Sequence, residues 1–182
     1  MAKRRVWSEE EKEWIRENLK YDPETGHLWW TKPRQGVAMS KPAGYVHHSN
    51  YVVIGTNLSI GRFCSYLAHR LAWFLHYGEE VDQLDHIDND PANNKIENLR
   101  PATPLANSLN RRPWSASGYK GVYKSGNRWR ARIQAMGMHT NLGNFDTEDE
   151  AAMAFDKKCE EYKRRYPELA VYFTTNKDLG LL

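Results

Sequence analysis

Cysteine is scarce in this sequence: Cys64 and Cys159 are the two in 182 residues, and no Cys-x-x-Cys pair occurs. That excludes a disulfide scaffold and leaves too few thiolates for a cysteine-based structural zinc site, so both are expected as small buried hydrophobes. Long apolar runs are missing as well. No stretch approaches the roughly 18 consecutive apolar residues of a membrane helix, and Met1-Ala2-Lys3-Arg4-Arg5 leads to Trp7 and an acidic segment instead of an apolar signal core. The expectation is a protein of a reducing cytoplasm with no membrane partner. A dominant charge is the third absence, since 26 Lys+Arg against 23 Asp+Glu leave a net charge of +3, too small to name a partner. With 40% hydrophobic and 12% aromatic residues, disorder throughout is excluded, and the length suits one large domain or two small ones.

One absence is local. Tyr119 to Phe145 contains Lys120, Lys124, Arg128, Arg130 and Arg132 but no Asp or Glu, and the acids of that half follow afterwards. This segregation points to a polyanion.

Ser8-Glu9-Glu10-Glu11 is a capping-box start that predicts a helix over about 9–20, with Trp14, Ile15 and Leu19 on one side. Tyr21-Asp22-Pro23-Glu24-Thr25-Gly26 reads as a turn, and 27–30 and 51–54 as short strands. Leu67, Leu71, Phe74 and Leu75 recur at helical spacing, which predicts a buried helix over 63–77 closed by Gly78. Two short strands, 81–87 and 95–100, flank the turn-rich block Asp88-Asn89-Asp90-Pro91-Ala92-Asn93-Asn94. Thr103-Pro104 supplies an N-cap and a first-turn proline for a helix running through Leu105, Leu109 and Arg111. After a Pro-, Ser- and Gly-containing linker at 113–118, strands are expected over 119–124, 128–134 and 141–145. Ser125-Gly126-Asn127 forms the first turn between them, and a second capping box, Thr147 to Glu150, opens a helix that ends near Arg165.

The chemistry-bearing residues sit around the turn-rich block. Asp85 offers an anionic oxygen and Asn107 a neutral carbonyl oxygen, a sparse set of hard donors that leaves water and phosphate to complete the sphere of one Mg²⁺ or Mn²⁺ ion. His86, as a neutral imidazole, is suited to take a proton from an attacking water, and Asn98 is the natural residue to hold its loop. Asn110, three residues beyond Asn107, is the second choice of ligand. Arg100 reads first as a salt-bridge or phosphate-positioning residue, Asn93 and Asn94 as turn formers, and His69 and Arg70 as packing or backbone-phosphate residues. His47, His48 and His76 have no nameable partner.

Leu84-Asp85-His86-Ile87-Asp88-Asn89-Asp90-Pro91, Asn93-Asn94-Lys95-Ile96-Glu97-Asn98-Leu99-Arg100 and Ala106-Asn107-Ser108-Leu109-Asn110 resemble the HNH endonuclease motif. More narrowly, they resemble the H-N-N variant of phage- and intron-encoded homing endonucleases. Tyr21 to Trp30 and His69-Arg70-Leu71-Ala72-Trp73 resemble that group's upstream segments, so the resemblance spans most of 20–112. It implies a ββα-metal fold with one divalent ion, Asp85 and Asn107 as ligands, His86 as general base, and Asn98 orienting the histidine loop. Position 107, often His in the wider family, is Asn here, and that family's zinc-binding cysteines are absent. The implied reaction is hydrolysis of a DNA phosphodiester to 5′-phosphate and 3′-hydroxyl ends, in the cytoplasm of a bacterial host if the chain is phage-encoded.

In Arg128-Trp129-Arg130-Ala131-Arg132-Ile133-Gln134 the alternation is strict, so the arginines and Gln134 share one face and the apolar residues the other. Such a row fits a DNA major groove; the competing account is an edge strand made basic against aggregation. Residues 117–123, 129–131 and 141–152 resemble the APETALA/ethylene-response-factor DNA-binding domain. That resemblance places Lys120, Tyr123, Arg130, Arg132, Gln134 and Asn141 on a DNA-facing sheet, with Arg128 in the same row; several positions differ from the plant pattern, so no target sequence carries over.

The expectation is therefore an α+β chain with a nuclease domain at 1–112 and a DNA-binding domain at 119–182, built as three antiparallel strands on one helix. Its partner is double-stranded DNA, and it acts as monomer or homodimer in nicking or double-strand cleavage. The competing expectations are a DNA-binding regulator with an inactive nuclease fold and a non-specific or structure-selective nuclease.

Overall fold

The computed structural model describes residues 6–57, 63–110, 113 and 116–182. They form a mixed α/β chain of small antiparallel sheets divided into two compact units, residues 1–102 and 103–182. The division falls earlier than the linker expected at 113–118, and it places the helix after Thr103 with the second unit. Arg111 and part of that linker lie outside the described residues, as do Met1 to Arg5.

In the first unit, helix α1 (Glu9–Asn18) starts from the expected capping box: the Ser8 hydroxyl accepts from Glu11 N–H, and the Glu11 carboxylate accepts from Ser8 N–H. Strands β1 (Leu19–Tyr21) and β2 (Leu28–Trp30) pair antiparallel across the 22–26 turn. A second antiparallel sheet takes the order β3 (Tyr45–Val46), β4 (Val52–Asn57), β5 (Phe63–Leu67). Helix α2 (Ala68–Tyr77) follows directly. Residues 63–67 are thus strand, against the expected helix. Cys64 and Tyr66 point inward while Phe63, Ser65 and Leu67 are exposed, a period of two that continues the pairing with β4. The helical spacing from Leu67 to Leu75 had run across this junction. Ile15, Leu19, Leu28, Ile54, Tyr66, Leu71 and Phe74 form the core. The unit ends in a ribbon of β6 (Leu84–His86) and β7 (Leu99–Pro101), and a 3₁₀ turn (Ile96–Asn98) replaces the start of the expected second strand.

The second unit opens with α3 (Pro104–Leu109), capped by the Thr103 hydroxyl on Ala106 N–H. A sheet follows in the order β10 (Met138–Phe145), β9 (Arg128–Ala135), β8 (Val122–Ser125), all antiparallel. Residues 119–121, expected in the first strand, form a turn instead. A Cβ at Gly121 would lie 2.1 Å from the Phe155 ring, so the chain needs glycine where it passes over that ring. Helix α4 (Glu148–Arg165) carries the expected Thr147/Glu150 capping box and packs Ala151, Ala152, Phe155, Cys159 and Tyr162 onto Val122, Ala131 and Ile133. Both cysteines are buried and in no disulfide, and burial pushes the Cys159 thiol up to about 12, consistent with inert packing. Asn176, fully buried, ties the unit's tail to it: its Oδ1 accepts from Lys120 N–H, and its amide donates to Lys120 O and Asp156 Oδ1. No helix among the described residues is long and apolar enough to cross a membrane.

Candidate active site

Asp85 and His86 end β6, and both are buried, with 8% and 6% of their surface exposed. An ionised carboxylate at that depth needs a partner. Arg100, opposite Asp85 in the β6–β7 register, supplies it: guanidinium Nε and a terminal nitrogen both donate to Asp85 Oδ2, at 2.9 and 2.7 Å. Arg100 is thus seen here as an ion-pair residue on the carboxylate that the sequence marks as a metal ligand.

Asn98 closes the loop behind the histidine. Its carbonyl accepts from Ile87 N–H at 2.9 Å, its Oδ1 accepts from Asp88 N–H at 3.0 Å, and its Nδ2 donates to Asp88 Oδ1 and Asn93 O at 2.9 and 2.8 Å. The loop ends are pinned together through one side chain. Asp88 Oδ1 also accepts from Asp90 N–H and its Oδ2 from Asn93 Nδ2; these bonds outweigh burial and lower its pKa.

Asn94 touches the histidine itself, a contact that its reading as a turn former missed. Its Oδ1 lies 3.2 Å from His86 Nε2, and the residue is 4% exposed. The backbone of Asn94 is gripped by the β1–β2 turn: Tyr21 Oη–H donates to Asn94 O at 2.7 Å and Ile96 N–H donates to Pro23 O at 3.3 Å. Burial pushes the Tyr21 hydroxyl up, which keeps it a donor. Gly26 sits in the left-handed region at φ 76°, and a Cβ there would lie 2.5 Å from Lys95 N and 2.6 Å from Asn94 C, so only glycine lets the two backbones meet.

Two rings lie against His86: His69 from α2 at 5.1 Å between centroids, nearly perpendicular, and Tyr51 at 6.0 Å. His69 is 7% exposed, and its burial, aided by the neighbouring His86 and Arg70, pushes its pKa down to about 3. Burial also lowers the pKa of His86, against the opposing pull of Asn94 and Asp88. Both imidazoles are neutral at neutral pH, the form a general base requires. His47 also finds a partner, Ser49 Oγ at 2.8 Å from its Nδ1.

Asn107 lies on α3 in the second unit, half-buried. Asn110, the second choice, is 2% exposed, caps the end of α3, and its Oδ1 accepts from the Thr174 hydroxyl at 2.6 Å. Among the described residues no group of three or more His, Cys, Asp and Glu is arranged to hold a metal, so a protein ligand set built from them has fewer side chains than a closed structural site. The buried Asp85 carboxylate is a hard oxygen donor suited to Mg²⁺ or Mn²⁺, whereas His86 Nε2 is committed to Asn94.

On the sheet of the second unit, Arg128, Arg130, Arg132 and Gln134 are exposed while Ala131, Ile133 and Ala135 are buried, as the alternation predicts. Tyr123 lies opposite Arg130 in register, and Asn144 and Asn141 lie opposite Arg130 and Arg132 on the other side. The Arg130 Nε donates to Asn144 Oδ1, the Arg132 guanidinium lies 4.3 Å from the Tyr123 ring centroid, and Arg128 pairs with Asp146 at 3.0 Å. Asn141 is exposed, with its Oδ1 accepting from Gly143 N–H across the β10 bulge. Lys120 departs from the expected row. Its ammonium donates to Leu109 O at 2.6 Å, satisfying a carbonyl at the end of α3.

Residues 66–109 match the family model described as HNH endonuclease. The chain is similar to an uncharacterized HNH endonuclease of Acanthamoeba polyphaga mimivirus, 39% identical over 79 residues, 43% of this chain and 41% of the relative. It is also similar to Protein 3.8 of Escherichia phage T7, 42% identical over 67 residues, 35% of this chain and 55% of that one. The chain thus spans about half the length of the curated relatives it matches. No solved structure matches.

Proposed function

We propose that the protein is a divalent-metal-dependent DNA endonuclease of the homing type, in which the β6–β7 ribbon carries out phosphodiester hydrolysis and the C-terminal sheet extends the contact with double-stranded DNA. The observation that carries the reading is a buried, neutral His86 next to a buried Asp85, inside the segment that matches the HNH endonuclease model.

His86 takes the proton from the attacking water. Asn98 holds the 87–93 loop in place, as its hydrogen bonds to Ile87, Asp88 and Asn93 allow. The proposed ligands are Asp85 and Asn107, assigned from their spacing in the motif; when bound, the cation neutralises charge on the phosphate and the departing 3′ oxygen. Arg100 keeps Asp85 oriented. The ends formed are 5′-phosphate and 3′-hydroxyl.

On the sheet, Arg130, Arg132, Gln134, Tyr123 and Asn141 face the DNA, an arrangement in keeping with the ethylene-response-factor resemblance. Arg128 shares its charge with Asp146, and Lys120 is set aside because its ammonium is engaged at Leu109. The presence of amide and aromatic neighbours beside the arginines favours recognition over a purely anti-aggregation edge.

Supercoiled plasmid carrying the gene's own genomic neighbourhood, incubated with Mg²⁺, Mn²⁺ or EDTA, tests the proposal. Nicked or linear product with either cation and none with EDTA is expected. Binding without cleavage under every condition would replace it with a DNA-binding regulator built on an inactive nuclease fold.

A further inference from the structure

Asn94 has one amide and two neighbours, and the geometry settles which end faces which. Its Nδ2 lies 3.2 Å from Ala92 O, an atom that can only accept, so this end is the donor. The opposite end, Oδ1, faces His86 Nε2 at 3.2 Å and can only accept. A flipped amide would set oxygen against the Ala92 carbonyl and lose that bond, which fixes the orientation. His86 Nε2 must then carry the hydrogen. In the neutral ring the single proton therefore sits on Nε2 and the lone pair on Nδ1.

The support behind Asn94 is unusually complete for a loop residue. Its carbonyl takes the Tyr21 hydroxyl, the next residue's N–H is covered by Gly26, and the neighbouring Ile96 N–H is anchored on Pro23. The β1–β2 turn, about seventy positions upstream, therefore fixes the amide that fixes the imidazole. His69 and Tyr51 limit rotation of the ring from its other sides.

We propose that Asn94, held by the Tyr21–Gly26 turn, is the positioning residue that sets the tautomer of His86 and so makes Nδ1 the atom that accepts the proton. This rests on the nuclease reading for its consequence, though not for its geometry. The water O–H bond breaks and its proton passes to Nδ1; the resulting imidazolium keeps its Nε2–H on Asn94 Oδ1. The oxygen lone pair forms the bond to phosphorus as the bond from phosphorus to the 3′ oxygen breaks, and that oxygen takes a proton from solvent.

Long-range ¹H–¹⁵N correlation spectra of the full chain read the tautomer directly. In the wild type, His86 should show a protonated Nε2 and an unprotonated Nδ1, and a protonated Nδ1 overturns the proposal whatever the variants do. Asn94→Leu should lose the single tautomer and lower kcat about 10- to 100-fold with KM little changed, by analogy with the cost of removing the partner that orients a metal-ligating histidine. Asn94→Asp, which keeps an acceptor oxygen toward Nε2 but loses the donor to Ala92 O, should retain the Nε2–H form and recover only part of kcat. An Asn94→Leu protein with an unchanged tautomer and unchanged kcat also overturns the proposal. If the wild type shows the Nε2–H tautomer yet cuts no DNA, the nuclease reading fails while Asn94 remains the residue that sets the tautomer.

Discussion

The ribbon around His86 and the sheet around Arg130 both gather polar side chains, but they do so under opposite conditions. Around His86 the side chains of Asp85, Asn94 and Asn98 are buried and bonded to the protein: Asp85 to Arg100, Asn98 to both ends of its loop, Asn94 to the ring. In a medium of low dielectric, such bonds are strong and their loss is costly, so this region trades freedom for fixed geometry. On the sheet, the arginines are exposed, their contacts with Asn144, Tyr123 and Asp146 are solvent-screened, and the charge stays available to a polyanion. Geometry suits chemistry on one phosphodiester; available charge suits contact with many phosphates. A substitution in the first region should therefore damage turnover and stability, and one in the second should damage affinity and its salt dependence.

The largest expected effect lies in the buried pair. Arg100→Met leaves the Asp85 carboxylate buried without its partner and should cost about 3–5 kcal/mol of unfolding free energy, measured by urea denaturation. A loss near zero would mean that the pair is solvated and that the contrast with the sheet is overstated.

Acid should act on the same region. The unfolded chain protonates His69 near its ordinary value of about 6.5, whereas the folded chain resists until about 3. Between those values the unfolded state binds more protons, so stability is full above pH 6.5 and falls as pH is lowered toward 3. Urea midpoints recorded from pH 7 to pH 4 should fall for the wild type and fall less for His69→Phe. Parallel curves would show that His69 is not the group responsible.

Smaller effects belong to the sheet. Arg130→Ala and Arg132→Ala should each reduce the slope of log binding constant against log salt by about one unit where the side chain meets a phosphate, with melting temperature little changed. Arg128→Ala should do less, because its guanidinium is shared with Asp146. If Arg128→Ala proves the most damaging of the three, the assignment of the DNA-facing row needs redrawing.

The two regions also differed in how far they could be read in advance. Strict alternation along 128–134 announces both faces of β9, because strand periodicity is a local property. The capping boxes at Ser8 and Thr147 are equally local, and both formed. The Asp85-His86 pair was visible as a motif, but the hydrogen-bonding partner of His86 was not. Asn94 looks like any turn former until the Tyr21–Gly26 turn is folded against it, and nothing in a linear pattern shows that contact. Lys120 failed in the same way: a lysine beside a basic strand reads as free charge, and the Leu109 carbonyl that holds it becomes visible only in the folded chain. Residues 63–67 look helical in the sequence because the apolar spacing of α2 continues by coincidence into the preceding strand.

The central claim, that chemistry resides in the buried ribbon and affinity on the exposed sheet, is tested most directly by measuring cleavage and DNA binding together for His86→Ala. Removing a general base costs about 10²- to 10⁴-fold in rate. The account predicts a loss of that size in Mg²⁺-dependent cleavage with DNA affinity within about twofold of wild type. Cleavage by His86→Ala at the wild-type rate would contradict it.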